Sequence, residues 1–316
     1  MIINSLRSRF HRATVVKDYF RDALFVAADP ARFVKRRQMA KKALTPRVQI
    51  PVATGYVVTD AEQMPGLSEV MTRLRSFTSQ KLRTINCEAI RVGAMRGSIK
   101  PFYFNLLDRA DTQQMPEIVQ FAVSDEVLGV LACYYGVLPE LSHIAVFYSG
   151  FAEAFAAGSN PRGTQKMHWD NHDRRHVKMF CYLDDVGEED GPLTVLPADK
   201  SWFLRRKTGR ILGTFPLQDA EFLRYFSEKD LVPITGPAGT VAFVDTTRCL
   251  HFGSRCGAGG NRTAFVIHYT RFADYSRAYT GPFQDLNLAT SPECREQLTL
   301  SPTGDVAYRL LSPSNT

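Results

Sequence analysis

The spacing of apolar residues changes character once along the chain. Before residue 143 it follows a helical period. In residues 4–28, Leu6, Phe10, Val15, Phe20, Leu24 and Phe25 form an apolar stripe, and residues 31–44 read as a second helix after a break at Asp29-Pro30. Residues 66–84 and 114–137 predict further helices. In the second of these, Ile118, Phe121, Ala122, Leu128 and Leu131 recur at helical spacing, and Ser124-Asp125 offers a cap at which a fresh helix can start. One short strand, Gly55-Tyr-Val-Val-Thr, interrupts this first part.

After residue 143 the chain turns to short β-rich runs at 144–148, 177–183, 193–196, 239–245 and 263–269. Turn clusters separate them, among them Gly158-Ser-Asn-Pro161, Gly187-Glu-Glu-Asp-Gly-Pro192, Gly236-Pro-Ala-Gly239 and Gly257-Ala-Gly-Gly-Asn261. Residues 217–228 predict a helix inserted between strands. Helices first and short strands afterwards predict a mainly β domain, a sandwich or jelly roll with flanking helices. The organisation expected is a helical N-terminal segment over 1–48, one β domain with helical elements over 49–285, and a polar tail over 286–316.

Composition changes this picture little. Apolar residues make up 44% and charged residues 22% of the 316, as in ordinary globular proteins. No run of 18 or more apolar residues predicts a membrane span, and the start lacks a secretory pattern. The six cysteines are scattered with no CxxC pair, so they read as reduced thiols of a cytoplasmic protein. Charge does add something. Residues 1–50 hold twelve Lys and Arg against three Asp, a surplus of nine, so a total of +7 leaves −2 for the remainder. A basic leading segment suits peripheral contact with an anionic membrane surface, or a solvated pair of helices. Nucleic-acid binding is not expected. The first 17 residues carry no acid, as in an organellar presequence, but Asp18 and Asp22 break that pattern.

Three of the seven histidines fall in one segment, Gln165-Lys-Met-His168-Trp-Asp170-Asn-His172-Asp173-Arg-Arg-His176. Residues two apart on an extended strand share a face, so His168 and Asp170 can share a metal. His251, after the run Val241-Ala-Phe-Val-Asp245, is the candidate third ligand. Two imidazoles and one carboxylate leave three adjacent positions open on an octahedral iron, where a closed four-ligand site would be structural. Arg262 lies eleven residues after His251 and opens the last β-run. A dicarboxylate co-substrate needs a cation at its far end, and a guanidinium can grip a carboxylate with two parallel bonds.

Together, His168-Trp-Asp170, Lys178-Met-Phe-Cys-Tyr-Leu-Asp-Asp-Val186, Asp190-Gly-Pro-Leu-Thr-Val-Leu-Pro197, Gly239-Thr-Val-Ala-Phe-Val-Asp245, His251 and Arg262 resemble the phytanoyl-CoA dioxygenase-like branch of the iron/2-oxoglutarate oxygenases. Gly55-Tyr-Val-Val resembles that branch's opening strand. The resemblance spans roughly residues 50–272. It implies a cupin-like double-stranded β-helix that uses Fe(II), 2-oxoglutarate and O2. It implies iron on His168, Asp170 and His251, the far carboxylate of 2-oxoglutarate on Arg262, and hydroxylation of a substrate with release of succinate and CO2. A carboxylate at Asp170 argues against halogenation, which needs a small residue there. One departure stands out: Pro197-Ala-Asp-Lys-Ser-Trp202 replaces the GSH-like continuation common in that branch, so specificity does not carry over at this loop.

Supporting positions follow. Lys178, Phe180 and Tyr182 alternate onto one strand face. Tyr182 and Thr194 are candidates to bond the co-substrate. Gln165, Lys166, Trp169 and Lys178 are candidates to line the substrate pocket. His172 and His176, four apart, would share a helical face and hold zinc, but no Glu follows the first histidine and the context is β. They and Asp173, Arg174 and Arg175 read instead as a polar loop at the pocket mouth. His268 reads as a core histidine. Substrate is expected to be a small molecule, sugar or lipid-type compound. Two other classes fit the scaffold: a non-catalytic protein recruited to membranes by its basic segment, and a cupin-type metalloenzyme that does not use 2-oxoglutarate. Arg262 separates the second from the main reading.

Overall fold

A computed structural model describes residues 23, 26, 27, 29–43, 45–84, 103–107, 109–150, 161–170, 175–210 and 216–271. Most of the stripe at 4–28, the turn at 158–160, residues 172–174 and the tail at 286–316 lie outside the described residues.

Two antiparallel sheets face one another. The larger has six strands in the order β1 (Tyr56–Asp60), β7 (Thr240–Asp245), β4 (His176–Tyr182), β9 (Asn261–Thr270), β3 (Glu140–Gly150), β2 (Tyr103–Asn105). The smaller runs β6 (Val232–Ile234), β5 (Leu193–Leu196), β8 (Leu250–Phe252). Residues 167–168 extend it beyond β8 through the bridge His168↔His251. Chain order jumps between the two sheets, and this winding makes the fold a double-stranded β-helix.

Period-two alternation divides the core. On one face of the large sheet, Ile144, Val146, Val177, Met179, Val241, Phe243, Phe265 and Ile267 are fully buried and pack against helices. The other face turns Phe180, Tyr182, Ala242, Val244, Ala264 and Val266 toward Leu193 and Val195 of the small sheet. The outer face of the small sheet carries Leu196, Leu250 and Phe252, clad by Met167, Trp169, Leu204, Leu217 and Phe222.

Among the described residues the helices are α1 (Pro30–Lys42), α2 (Leu67–Thr84), α3 (Arg109–Gln114), α4 (Pro116–Ala122), α5 (Asp125–Tyr135), α6 (Ala198–Lys207) and α7 (Asp219–Phe222). The segment at 114–137 is divided as its sequence suggests. Pro116 opens α4, and α5 begins after Ser124 and ends at Gly136 in the left-handed conformation. Residues 116–135 are long and apolar enough to cross a membrane by composition alone, but most of them are buried inside the fold.

Two expectations are corrected. The inserted helix at 217–228 shrinks to α7, because Ser227 and Asp230 cap a separate single turn at Glu228–Asp230. The loop at 197–202 is instead the start of α6. Pro197 precedes it, Asp199 sits in its first turn, and Arg205, Arg206 and Lys207 sit in its last, each sign matching the helix dipole.

Part of the basic leading segment is internal to the fold. Arg36 of α1 is buried and donates to the carbonyls of Leu138 and Arg271. Arg32 and Arg36 both reach Glu140, at 2.9 and 3.3 Å. Met39 packs with Val123, Leu128, Ala132 and Leu138.

One glycine of the Asp190-Gly-Pro motif is required by geometry. Gly191 has φ +64°, and a Cβ there would lie 2.8 Å from the amide nitrogens of Arg255 and Cys256. Its carbonyl accepts from Ser254 N–H at 3.0 Å. Gly191→Ala is expected to cost about 2–4 kcal/mol, from left-handed strain plus overpacking. Urea denaturation measures this; a change under about 0.5 kcal/mol, the size of an ordinary surface substitution, would contradict the strained turn.

Candidate metal centre

His168 and His251 face each other as a hydrogen-bonded antiparallel pair. Each backbone N–H donates to the other's carbonyl, both at 3.0 Å. Directly opposed residues send their side chains to the same face, and here the imidazole centroids are 4.3 Å apart. Asp170 follows two residues later and returns to that face, with its N–H on the Thr246 carbonyl at 2.9 Å. One ligand atom from each of the three lies within 4.8 Å of the others.

The ring orientations suit a cation. His168 Nδ1 is 2.7 Å from the Lys166 carbonyl, and His251 Nδ1 is 3.1 Å from the Cys249 carbonyl. A carbonyl only accepts, so each Nδ1 carries the proton and each Nε2 presents a lone pair. Burial first, and then the neighbouring His168, push the His251 imidazole down to about 3, which keeps it neutral. Burial pushes Asp170 up and the adjacent Lys178 ammonium pulls it down, and the balance holds it well below the usual carboxylate range. Two imidazoles that each turn Nε2 free of a carbonyl, and one carboxylate, gathered within 4.8 Å, fit a divalent transition metal.

Arg262 begins β9 on the inward face, opposite Ser149 of β3. It is 5% exposed, and among the described residues no carboxylate lies within ion-pair distance of it. Its Nη2 reaches Ser254 Oγ at 3.4 Å, while Nη1 is buried with no hydrogen-bond partner. The guanidinium sits 5.7 Å from the Tyr182 ring centroid. A Cβ on Gly253 would approach Nη2 to 3.3 Å, so glycine leaves the fork room. A buried guanidinium with an unmet donor calls for an anion.

Sequence reasoning did not find Ser254, Ser149 or Tyr103. Ser254 is the one non-glycine residue with positive φ among the described residues, at 62°. Its Oγ lies 2.8 Å from Ser149 Oγ, and Gln165 Nε2 donates to its carbonyl at 3.0 Å. Held strain of this kind clusters at functional sites. Tyr103 stacks on Phe147 with centroids 4.4 Å apart. Burial raises its pKa, Arg262 opposes that and Asp170 reinforces it, so the phenol feels both the clamp and the metal cluster. The partner of Ser149 depends on the β3–β9 register, which no local motif encodes.

Other positions divide. Lys178 and Tyr182 face inward, and Lys178 Nζ is 2.7 Å from Asp170 Oδ2. The Tyr182 hydroxyl is already engaged, donating to the Ile234 carbonyl at 2.8 Å and accepting from Leu193 N–H at 3.1 Å, so its ring face is what it offers Arg262. Thr194 is a correction. Val195 opposes His251 and points inward, so alternation turns Thr194 outward, where its hydroxyl donates to the Pro192 carbonyl at 3.3 Å. Trp169 is turned outward by the same alternation and lies under the Arg205 guanidinium at 5.0 Å, not in the pocket. The Gln165 amide is spent on backbone, accepting from Arg162 N–H and donating to the Ser254 carbonyl, and Lys166 contributes its carbonyl.

The polar loop expected at 172–176 holds for neither of its described members. Arg175 donates to the Tyr134 carbonyl and stacks on that ring, and His176 is buried in β4 with Nδ1 3.8 Å from Asp170 Oδ2. His172 lies outside the described residues. His268 is not isolated in the core: its ring is 5.2 Å from both His143 and His176.

Neither a protein-family model nor a curated protein matches the chain. Solved structures do. The chain is similar to EctD from S. alaskensis with 2-oxoglutarate and 5-hydroxyectoine, at 14% identity and TM-score 0.42, covering 69% of this chain and 72% of that one. It is similar to the non-heme alpha ketoglutarate dependent epimerase SnoN from nogalamycin biosynthesis, at 16% identity and TM-score 0.40, covering 76% and 83%. It is also similar to HygX from Streptomyces hygroscopicus with nickel and 2-oxoglutarate bound, at 17% identity and TM-score 0.39, covering 69% and 83%.

A metal that binds only the folded state stabilises it by mass action. Co(II) at 100 times its dissociation constant is expected to add about 2.7 kcal/mol to unfolding free energy, and Asp170→Ala to abolish the gain. Calorimetric melting with and without Co(II) tests this. An equal shift in the variant would place the metal elsewhere.

Proposed function

We propose that the protein is an Fe(II)- and 2-oxoglutarate-dependent dioxygenase of the phytanoyl-CoA dioxygenase-like type, hydroxylating a small-molecule, sugar or lipid-type substrate. The observation that carries this reading is Arg262. A metal triad alone would serve a cupin-type enzyme equally well. A buried guanidinium with an unmet donor, on the inward face of the opposite sheet, has no use there, and it is what a dicarboxylate requires.

His168 and His251 would hold the iron through Nε2, their rings fixed by the carbonyls of Lys166 and Cys249. Asp170 would supply the anionic ligand. Arg262 would take the far carboxylate, with the Tyr182 ring beneath it and Ser254 at its edge. When bound, iron and 2-oxoglutarate supply the oxidising chemistry: O2 and 2-oxoglutarate yield succinate, CO2 and one oxygen atom for the substrate. The chain's part is to orient both and to exclude water, so that charge interactions between clamp and co-substrate act at low dielectric. The basic leading segment adds an anionic membrane surface as a proposed peripheral contact.

Anaerobic protein given Fe(II) and 2-oxoglutarate is expected to develop a metal-to-ligand absorption band, and to release succinate slowly when air is admitted. Without either signal this reading fails. Arg262→Ala is expected to weaken 2-oxoglutarate about 10- to 100-fold, the loss of one charge-assisted contact, while sparing iron. Titration of the absorption band measures the first effect and iron binding the second; equal loss of both would remove Arg262 from the co-substrate site.

A further inference from the structure

The inward face of β4 carries a cation that the proposed chemistry leaves unexplained. Lys178 sits at the centre of the large sheet, opposite Val244 of β7 and His268 of β9. Its side chain is 15% exposed and its ammonium lies 2.7 Å from Asp170 Oδ2. A fixed positive charge beside a divalent-metal site repels the metal, so metal affinity alone gives no reason for it.

The two oxygens of the carboxylate meet different surroundings, and Oδ2, which makes no hydrogen bond, is held by charge alone. Oδ1 faces His168 Nε2 at 3.8 Å. Oδ2 faces Lys178 at 2.7 Å, His176 Nδ1 at 3.8 Å and His251 Nε2 at 3.9 Å. A carboxylate binds a metal through one oxygen or through both. With two imidazoles, the one-oxygen mode leaves three positions of an octahedron and the two-oxygen mode leaves two. A chelating 2-oxo acid takes two, so only the one-oxygen mode keeps a position for O2.

We infer that Lys178 is a positioning residue that holds Asp170 Oδ2 in an ion pair, so that the carboxylate meets the metal through Oδ1 alone and the position for O2 stays open. This rests on the dioxygenase reading. The β4 register fixes the lysine from two neighbouring strands, and the buried surroundings strengthen the pair over one in water.

Nitric oxide, an O2 surrogate that gives an electron-paramagnetic signal on Fe(II), reads the open position without turnover. The experiment titrates anaerobic Fe(II)·2-oxoglutarate protein with nitric oxide in wild type, Lys178→Met and Lys178→Arg. In Lys178→Met, nitric oxide affinity is expected to fall roughly 10- to 100-fold. Iron and 2-oxoglutarate should still bind, which also shows that the variant folds. Lys178→Arg should restore most of the signal, because a guanidinium can grip the same oxygen. Should Lys178→Met fail to bind iron, Lys178→Gln, which keeps a donor without the charge, is read in its place, and an intermediate affinity is expected. Wild-type nitric oxide affinity in the neutral variant that binds iron overturns the inference. Absence of 2-oxoglutarate binding in the wild type overturns the dioxygenase reading instead.

Discussion

Two reciprocal backbone hydrogen bonds, from His168 to His251 and back, tie the segment before β4 to the strand that ends the small sheet. The rest of the site inherits its geometry from this pair. Because the two residues are directly opposed, their side chains share a face, and Asp170 joins them by alternation. Val195 opposes His251 on its other side, so the same bonds put Val195 and Leu193 inward. They send Met167, Trp169, Leu196, Leu250 and Phe252 outward to α6 and α7. A slip of one residue would turn both histidines out and bury the wrong set. The outer apolar layer is therefore what specifies the inner polar one: Leu204 and Phe222 fill their places only when this register holds.

Charge in the interior follows a second constraint. Ionised groups removed from water must be paired or held by a ligand. Asp170 has Lys178. Arg262 has a serine hydroxyl at 3.4 Å and the face of a tyrosine, neither of which is an anion. Two imidazoles escape the problem by staying neutral: burial lowers His251, and burial with Lys178 and the neighbouring histidines holds His268 well below its ordinary range. Arg262 is thus, among the described residues, a buried cation without an anion, and a dicarboxylate would supply one.

Much of this was legible in the sequence because it is local or chemically distinctive. The HxD tripeptide needs only strand alternation, and Arg262 is marked by its place at the start of a β-run after a glycine-rich turn. What failed was parity between strands. Thr194 and Trp169 lie close in sequence to inward residues, and only the register with β8 tells which way each points. Ser254 escaped because its left-handed backbone leaves no local mark, and Ser149 because its partner lies 105 residues away. Arg36 looked like surface charge because its partners, Leu138 and Arg271, come from distant parts of the chain. The start of α6 was legible in its own residues, Pro197 before the helix and Asp199 in its first turn, and not in any motif.

The triad belongs to the small sheet and the arginine to the large one, so their separation is set by packing between sheets and not by any single strand. The residues that fill this gap are uneven in size. Phe147, Phe180 and Tyr182 are bulky, while Ala242 and Ala264 lie beside them at register-paired positions: Ala264 opposes Phe147 and Tyr182, and Ala242 opposes Phe180. Small residues beside large ones give each aromatic ring room on that face, where Phe180, Tyr182, Ala242 and Ala264 pack with Leu193 and Val195 of the small sheet. Enlarging one of these alanines would crowd the aromatic ring beside it on the face that carries Arg262. The alanines thus belong to the machinery of the site as much as the ligands do, although none of them carries chemistry.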